Sequence, residues 1–140
     1  MQKSNPNKWI RKAISTALSG MTVNTISIPT YTTRVPVGQS PKAYVLIISQ
    51  NKKQSEENKC EDFWKADVLL DIVTIYPATG NTGSRVLVDD IEDEIRNRTQ
   101  NLVVENFTVL FQNIDQSGLD NINDNTIVFR NLLRISLTLK

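Results

Sequence analysis

Five carboxylates crowd one short stretch of this chain, at Asp89, Asp90, Glu92, Asp93 and Glu94. Carboxylates this close in sequence could hold a divalent metal ion, or they could serve as the paired acid and base of a hydrolase. The stretch lies in an expected helix, where Asp89 and Asp93 share one side while Asp90 and Glu94 share another. Because the side chains then point in several directions, we favour a solvated helix surface over either kind of site.

Two further segments have the composition of ligand-binding loops. The run from Gly80 to Arg85 precedes the expected helix, where backbone amides can hold a phosphate. A Walker-type loop, however, needs a lysine followed by Ser or Thr after its last glycine, and this run has Ser84-Arg85 there instead. The run from Asp115 to Asp124 is rich in oxygen ligands but lacks the spacing and the later glutamate of a calcium loop. We predict a strand-to-helix turn for the first run and a hairpin connection for the second.

The composition removes most other routes to catalysis. The chain has no histidine, which is the commonest general base and metal ligand, and it has a single cysteine, Cys60. A serine nucleophile would have no histidine to activate it, and one cysteine can form neither an intrachain disulfide nor a thiolate metal cage. We interpret Cys60 as a chance thiol in a polar loop. We therefore predict that the protein is not an enzyme, with no catalytic residue, cofactor-binding residue or metal ligand, and no cofactor.

Size and charge narrow the possible partners. With 140 residues, 39% of them apolar, the chain can bury one ordinary core, which predicts a single domain over residues 1–140. Its 16 basic and 15 acidic residues leave a net charge of +1, too little to attract nucleic acid or an anionic membrane. Lys8, Arg11 and Lys12 cluster on the first expected helix, and we interpret them as a solvated face rather than a nucleic-acid patch.

The apolar runs are short. The longest, from Tyr44 to Ile48, cannot span a bilayer, and the first six residues have no apolar segment behind them. We predict a protein that is made and used in a reducing, cytoplasm-like space, away from membranes.

A long alternating strand and the helix after it are the clearest elements. From Trp64 to Tyr76, one face carries Trp64, Ala66, Val68, Leu70, Ile72 and Tyr76, and the other carries Lys65, Asp67 and Asp71. Turn-forming residues follow at positions 77–84, and helical spacing resumes at Val88, Ile91 and Ile95. The pairs Glu92–Arg96 and Glu94–Arg98 have the favoured i,i+4 order.

The N-terminal half predicts one helix and two further strands. A first helix is capped by Asn7 or Ser4, has an apolar stripe, and stops at Gly20. Prolines interrupt the β-branched residues 23–37, which favours an irregular or edge strand. Residues 43–49 are almost all apolar, so we predict a central strand covered on both faces. The polar residues 51–61 predict a loop or hairpin tip that projects into solvent.

The C-terminal part predicts two more strands. The first covers residues 102–112, a polar connection covers 113–125, and the last strand turns Ile127, Phe129, Leu133, Ile135, Leu137 and Leu139 inward. Together these elements predict an α+β fold, with a mostly antiparallel sheet of four to five strands packed by an N-terminal helix and by one helix between strands.

This order of elements resembles the tail terminator or tail completion proteins of tailed bacteriophages, which are head-tail connector components. The matching landmarks are the helix from Lys8 to Ser19, Val35-Pro36 followed by the run from Pro41 to Ile48, the strand from Trp64 to Ile75 leading into Gly80 and Gly83, the helix from Arg85 to Arg98, and the final strand from Thr126 to Leu139. The chain departs from the family pattern in its long connection at residues 113–125 and in the polar segment 51–61.

The resemblance implies a structural virion protein without catalysis. Such a protein forms a homo-oligomeric ring, hexameric in long tails, that caps the tail tube and joins it to the head. A related ring in a short-tailed particle would bind the portal and connector and could have twelve subunits. Expected partners are therefore other copies of the chain, neighbouring connector, portal or tail proteins, and at most non-specific contact with DNA passing through the ring during genome ejection. The expected location is the virion, after assembly in the host cytoplasm.

Two hypotheses from other classes remain beside the ring. In the first, the chain is a non-viral cytosolic binding module that uses a sheet edge for a peptide or small ligand, and it is a monomer or dimer. In the second, a carboxylate enzyme on the acidic helix would have metal-dependent activity that disappears when Asp89 and Asp93 are replaced together.

Overall fold

Four long strands form the body of the protein. The computed structural model describes residues 5–32, 34–39, 41–58, 61–77, 85–122 and 126–140. In chain order the elements are α1 (Pro6–Ala17), β1 (Thr22–Val23), β2 (Ile26–Ser27), β3 (Thr30–Tyr31), β4 (Ala43–Asn58), β5 (Glu61–Pro77), α2 (Arg85–Thr99), β6 (Val109–Ile122) and β7 (Thr126–Leu139).

The main sheet has five strands in the order β3-β4-β5-β7-β6, and β1 and β2 form a separate antiparallel pair. Only the two-residue strand β3 runs parallel to its neighbour, and β4, β5, β7 and β6 each run antiparallel to the next. Two helices with a mostly antiparallel sheet make this an α+β fold, which confirms the predicted class, strand number and helix positions.

The alternation predicted for β5 is confirmed. Ala66, Val68, Leu70 and Ile72 are buried, and each pairs with β4 on one side and with β7 on the other. On β7, the predicted inward residues Leu133, Ile135, Leu137 and Leu139 are buried as well. The two strands pair along their whole shared length, so their apolar side chains form one continuous surface.

Both helices cover that surface. The buried residues Ile10 and Ile14 of α1, and Val88, Ile91 and Ile95 of α2, join the buried side chains of β4, β5 and β7 in a single core. Each large aliphatic side chain buried in this way contributes about 1.5–3 kcal/mol to folding. The opposite face, which we call the helix-free face, carries Tyr44, Leu46, Leu69, Asp71, Val73, Arg130 and Leu132. Val73 is buried there without belonging to the core.

The start of α1 differs from the prediction, whereas the turn after it does not. Asn5 is the N-cap, and its side chain accepts a hydrogen bond from the N–H of Asn7 at 3.0 Å. Asn7 is therefore not the cap, because Pro6 already fits the first turn, where its fixed φ suits the helix. Ser4 lies outside the described residues. Gly20 follows the helix with φ of +65°, a left-handed conformation that glycine adopts without strain, as expected of a stop.

The prediction of a central strand at residues 43–49 was wrong. β4 is not central, since only β3 lies outside it, and one of its faces is helix-free, so Ile48 is exposed. Of the two alternatives predicted for residues 51–61, a loop or a hairpin tip, the strand pairing corresponds to the hairpin, because the polar residues 51–58 continue β4 along β5 to a pairing of Asn58 with Glu61. Hydrogen bonding between strands does not require apolar side chains, which explains how a polar segment extends the sheet. Residues 59 and 60 lie outside the described part.

The strand predicted for residues 102–112 was also misplaced. Residues 102–108 are not in a strand, and β6 runs from Val109 to Ile122 through most of the stretch predicted as a polar connection. The outer edge of an edge strand is in contact with solvent, and in β6 one face of the strand is as well. Polar residues in such a strand are therefore not a sign of a loop. Within the described part of the chain, no helix is long and apolar enough to cross a membrane.

Candidate functional site

The acidic residues of α2 are held by local partners. Glu92 accepts a hydrogen bond from Arg96 at 3.0 Å, and Glu94 accepts one from Arg98 at 2.8 Å, which confirms both predicted ion pairs. Asp90 accepts a hydrogen bond from the side-chain amide of Asn24 at 3.0 Å. Among the residues that the structure describes, no three His, Cys, Asp or Glu side chains converge as metal ligands do.

The other segments considered for ligand binding fall in two places. Most of the glycine-rich run before α2 lies outside the described residues, which omit positions 78–84. Cys60 lies outside them as well. Asp115 lies on β6, whose backbone is extended through Ile122. Extended backbone points successive side chains to opposite faces, so the described part of this segment does not encircle a cation as a calcium loop does. The predicted hairpin connection was therefore wrong for residues 115–122, which belong to β6, and residues 123 and 124 lie outside the described residues.

The basic residues of α1 also have local contacts. The ammonium groups of Lys8 and Lys12 lie 4.9 and 5.4 Å from the centre of the Trp9 ring. Lys12 forms an ion pair with Glu105 at 3.0 Å, although both side chains are more than half exposed. These contacts agree with the interpretation of a solvated helix face.

One buried polar residue joins α2 to the sheet. Asn131 of β7 is 1% exposed, and its side-chain amide donates to Asp89 and Glu92, each at 3.1 Å. Its amide oxygen accepts a hydrogen bond from Arg85 at 2.7 Å. The three hydrogen bonds satisfy a group whose burial alone would be costly, and they set where α2 lies on the sheet. In the sequence, the signal was a polar residue at an inward position between Phe129 and Leu133, and the prediction for this strand left it out.

An ion pair lies in the middle of the helix-free face. The guanidinium of Arg130 donates from Nε and Nη2 to the two carboxylate oxygens of Asp71, at 3.1 and 2.6 Å. The Asp71 side chain is only 4% exposed, whereas that of Arg130 is 35% exposed. The hydrogen bond to Asp71 raises the pKa of Arg130 above its ordinary value, and burial opposes this change. The pair joins two neighbouring strands. In the sequence, the overlooked signal for this ion pair was Asp71, the only charged residue between Val68 and Ile75.

Tyr44 lies beside this pair and is sensitive to it. Burial raises the pKa of the Tyr44 phenol, the nearby charge of Asp71 raises it further, and the charge of Arg130 lowers it. A pKa raised by folding means that the folded protein keeps its proton at pH values where the unfolded chain has lost it. The associated stability is fully present below the unfolded pKa of about 10, and it is lost as the pH rises through the folded pKa.

We expect this effect to be measurable with Tyr44→Phe. Above pH about 10 the Tyr44 phenol should remain un-ionised in the folded wild-type protein and be ionised in denaturant, and this contribution should be missing from the variant. Ultraviolet absorbance of the phenolate during a pH titration, with and without denaturant, measures it. The wild-type protein should also lose more stability than the variant over the same pH range. Parallel losses in the two proteins would contradict the assignment.

The part of the helix-free face that surrounds the ion pair is apolar. Tyr44, Leu46, Leu69 and Leu132 are partly exposed and lie on three neighbouring strands around the ion pair. The Tyr44 ring also contacts the Tyr31 ring of β3, with centroids 6.3 Å apart. A contiguous apolar surface of this kind on a small protein commonly marks an interaction site.

Both margins of the sheet have unpaired backbone. Within the described part of the chain, no strand lies outside β6. On the other side, β3 pairs only with Val45 and Leu46, so β4 has no described partner beyond it from Ile47 to Asn58. Unpaired N–H and C=O groups along a strand are ready to bind another strand. The described part of the structure thus offers surfaces for strand and protein contacts.

These features define the class of the protein as an α+β fold whose sheet is covered by helices on one face and, among the described residues, has free edges on both sides. No protein-family model matches the chain, and no curated protein matches it in sequence.

Proposed function

We propose that this protein is a structural, non-enzymatic subunit that assembles into a homo-oligomeric ring, as tail terminator or tail completion proteins of tailed bacteriophages do. In that role it would belong to the tail or head-tail connector of the virion, join tail to head and surround the DNA passage. Its partners would be its own copies and the adjoining portal, connector or tail proteins.

The observation that supports this proposal is the pair of free edges on opposite sides of one sheet. A subunit with two different binding edges associates head to tail rather than face to face with itself. Head-to-tail association closes into a ring when the rotation per subunit divides a full turn. The resemblance to the phage family rests on the order of elements predicted from the sequence.

The first test is the mass of the purified protein in solution, by light scattering and sedimentation over a range of concentrations, with negative-stain images of the same samples. We expect closed rings of six or twelve subunits, alone or after addition of portal or tail-tube components. A protein that stays monomeric and binds neither portal nor tail-tube components would contradict the proposal.

The free edge of β6 also favours a second candidate, a module that binds a peptide by strand addition. This candidate predicts a monomer or dimer that binds extended peptides, with the β6 amides protected from hydrogen exchange only when a peptide is present. Rings formed by the protein alone would exclude it as the main role.

A further inference from the structure

The free edge of β6 is unusually accessible to another strand. β6 is 14 residues long and contains no proline and no lysine, the residues that commonly protect an exposed edge. At its start, Leu110 and Phe111 are 50% and 63% exposed, beside the exposed Val103. An incoming strand would bury these side chains, which adds apolar contact to the backbone hydrogen bonds.

The free part of β4 has the direction needed to meet that edge. Because β4, β5, β7 and β6 alternate in direction, β4 and β6 run opposite to one another. Two copies placed side by side in the same orientation therefore bring β6 of one against β4 of the next as an antiparallel pair. Such a pair continues the sheet without a change of hand or direction.

Charge favours this contact between the two different edges. The sequence of β6 includes the exposed Asp115 and no basic residue, so a contact between two β6 strands would bring like charges together and no opposite ones. Lys52 of β4 pairs with Ala66 of β5, Ala66 pairs with Leu137 of β7, and Leu137 pairs with Gln112 of β6. Lys52 and Gln112 therefore lie at the same height along the strands of the sheet. Lys52 therefore shares a face with Gln112 while Asp115 lies on the other face, so the argument from charge is that two acidic β6 strands are poor partners for each other.

A contact between two β4 strands would satisfy fewer groups. It would leave Leu110 and Phe111 exposed on both copies, and it would leave both β6 edges without a partner. The contact between β6 and β4 uses both free edges of every subunit, which only a head-to-tail arrangement achieves.

We propose that copies of this chain associate by adding residues 48–58 of β4 from one copy to the free edge of β6 in the next, with Leu110, Phe111 and Asp115 as the receiving side chains. This inference rests on the ring proposed above and identifies the contact that closes it. The sheet then runs without interruption around the assembly.

Two edge variants, each with a matched control, test the contact. Phe111→Lys places a charge at the exposed start of β6, and Val86→Lys makes the same change at the 64% exposed Val86 of α2. Asp115→Lys places on β6 a lysine, which opposes strand addition at an edge, and Asp93→Lys makes the same change at an exposed position of α2. Each edge variant should raise the concentration needed for assembly by about tenfold or more, the loss of roughly 1.4 kcal/mol per contact, while its control should not.

The variants must be shown to fold. Circular dichroism and thermal unfolding of each variant at concentrations where it is monomeric establish that the subunit still folds.

Hydrogen exchange of the wild-type protein gives a measurement that needs no variant. Amides of β6 and of residues 48–58 should gain protection as the protein is concentrated into rings, and amides of α1 should not. Rings that persist in both edge variants, with protection gained elsewhere, would overturn this contact and leave the ring itself intact. A wild-type protein that forms only dimers would overturn the head-to-tail contact, and one that never assembles would overturn the proposed function as well.

Discussion

Leu70→Ala should lower the free energy of unfolding by about 3–4 kcal/mol, whereas Leu46→Ala should lower it by less than about 1.5 kcal/mol. Leu70 is fully buried on the middle strand under the two helices, so truncation leaves a cavity that the packed core cannot fill. Leu46 lies on the helix-free face and is partly exposed, so its truncation removes less contact and creates no closed cavity. Urea unfolding of both variants, followed by circular dichroism at a concentration where each is monomeric, measures the difference.

The comparison also reports on the helix-free face. Equal large losses in both variants would mean that the face is covered within the monomer, contrary to the packing described above. A small loss for Leu46→Ala in the monomer, together with a larger loss at concentrations where the protein assembles, would show that this face is buried on association.

Arg130→Met should lower the free energy of unfolding by about 2–3 kcal/mol. It leaves the carboxylate of Asp71 buried on the face of the sheet without its bidentate partner. The expected cost is below the range for a fully buried pair because Arg130 is about one-third exposed. Replacing both residues together, as Asp71→Leu with Arg130→Met, should cost only about 1 kcal/mol, since no buried charge then remains unpaired.

Arg134→Met is the matched control, because Arg134 lies on the same strand and is exposed. Its loss should stay within about 0.5 kcal/mol, as for most surface substitutions. Chemical unfolding of the wild-type protein, the single variants Asp71→Leu and Arg130→Met, and the double variant completes a double-mutant cycle that measures the coupling between Asp71 and Arg130. A coupling energy near zero would mean that the pair is a surface contact of no structural consequence.

Part of this architecture was accessible from the order of residues alone. The alternation in β5 and β7, the apolar spacing of α2 and its two ion pairs were all predicted and confirmed. These features depend on positions two to four residues apart, where strand and helix geometry directly decide which side chains are neighbours. The boundaries of β4 and β6 were wrong because both strands carry polar residues, and a polar residue in an edge strand looks the same in sequence as one in a loop.

The candidate surfaces needed the tertiary structure. Asp71 and Arg130 are 59 residues apart, and Asn131 lies 46 residues from Arg85, so no local pattern could pair them. The free edges follow from the strand order, in which β7 lies between β5 and β6 although β6 comes first along the chain. By itself the sequence determined the α+β class, the helical and strand faces and a composition without histidine, because each is set by residue type and short-range spacing. Which faces and edges remain open was decided by how distant strands pair, since a strand's exposure depends on its neighbours in space.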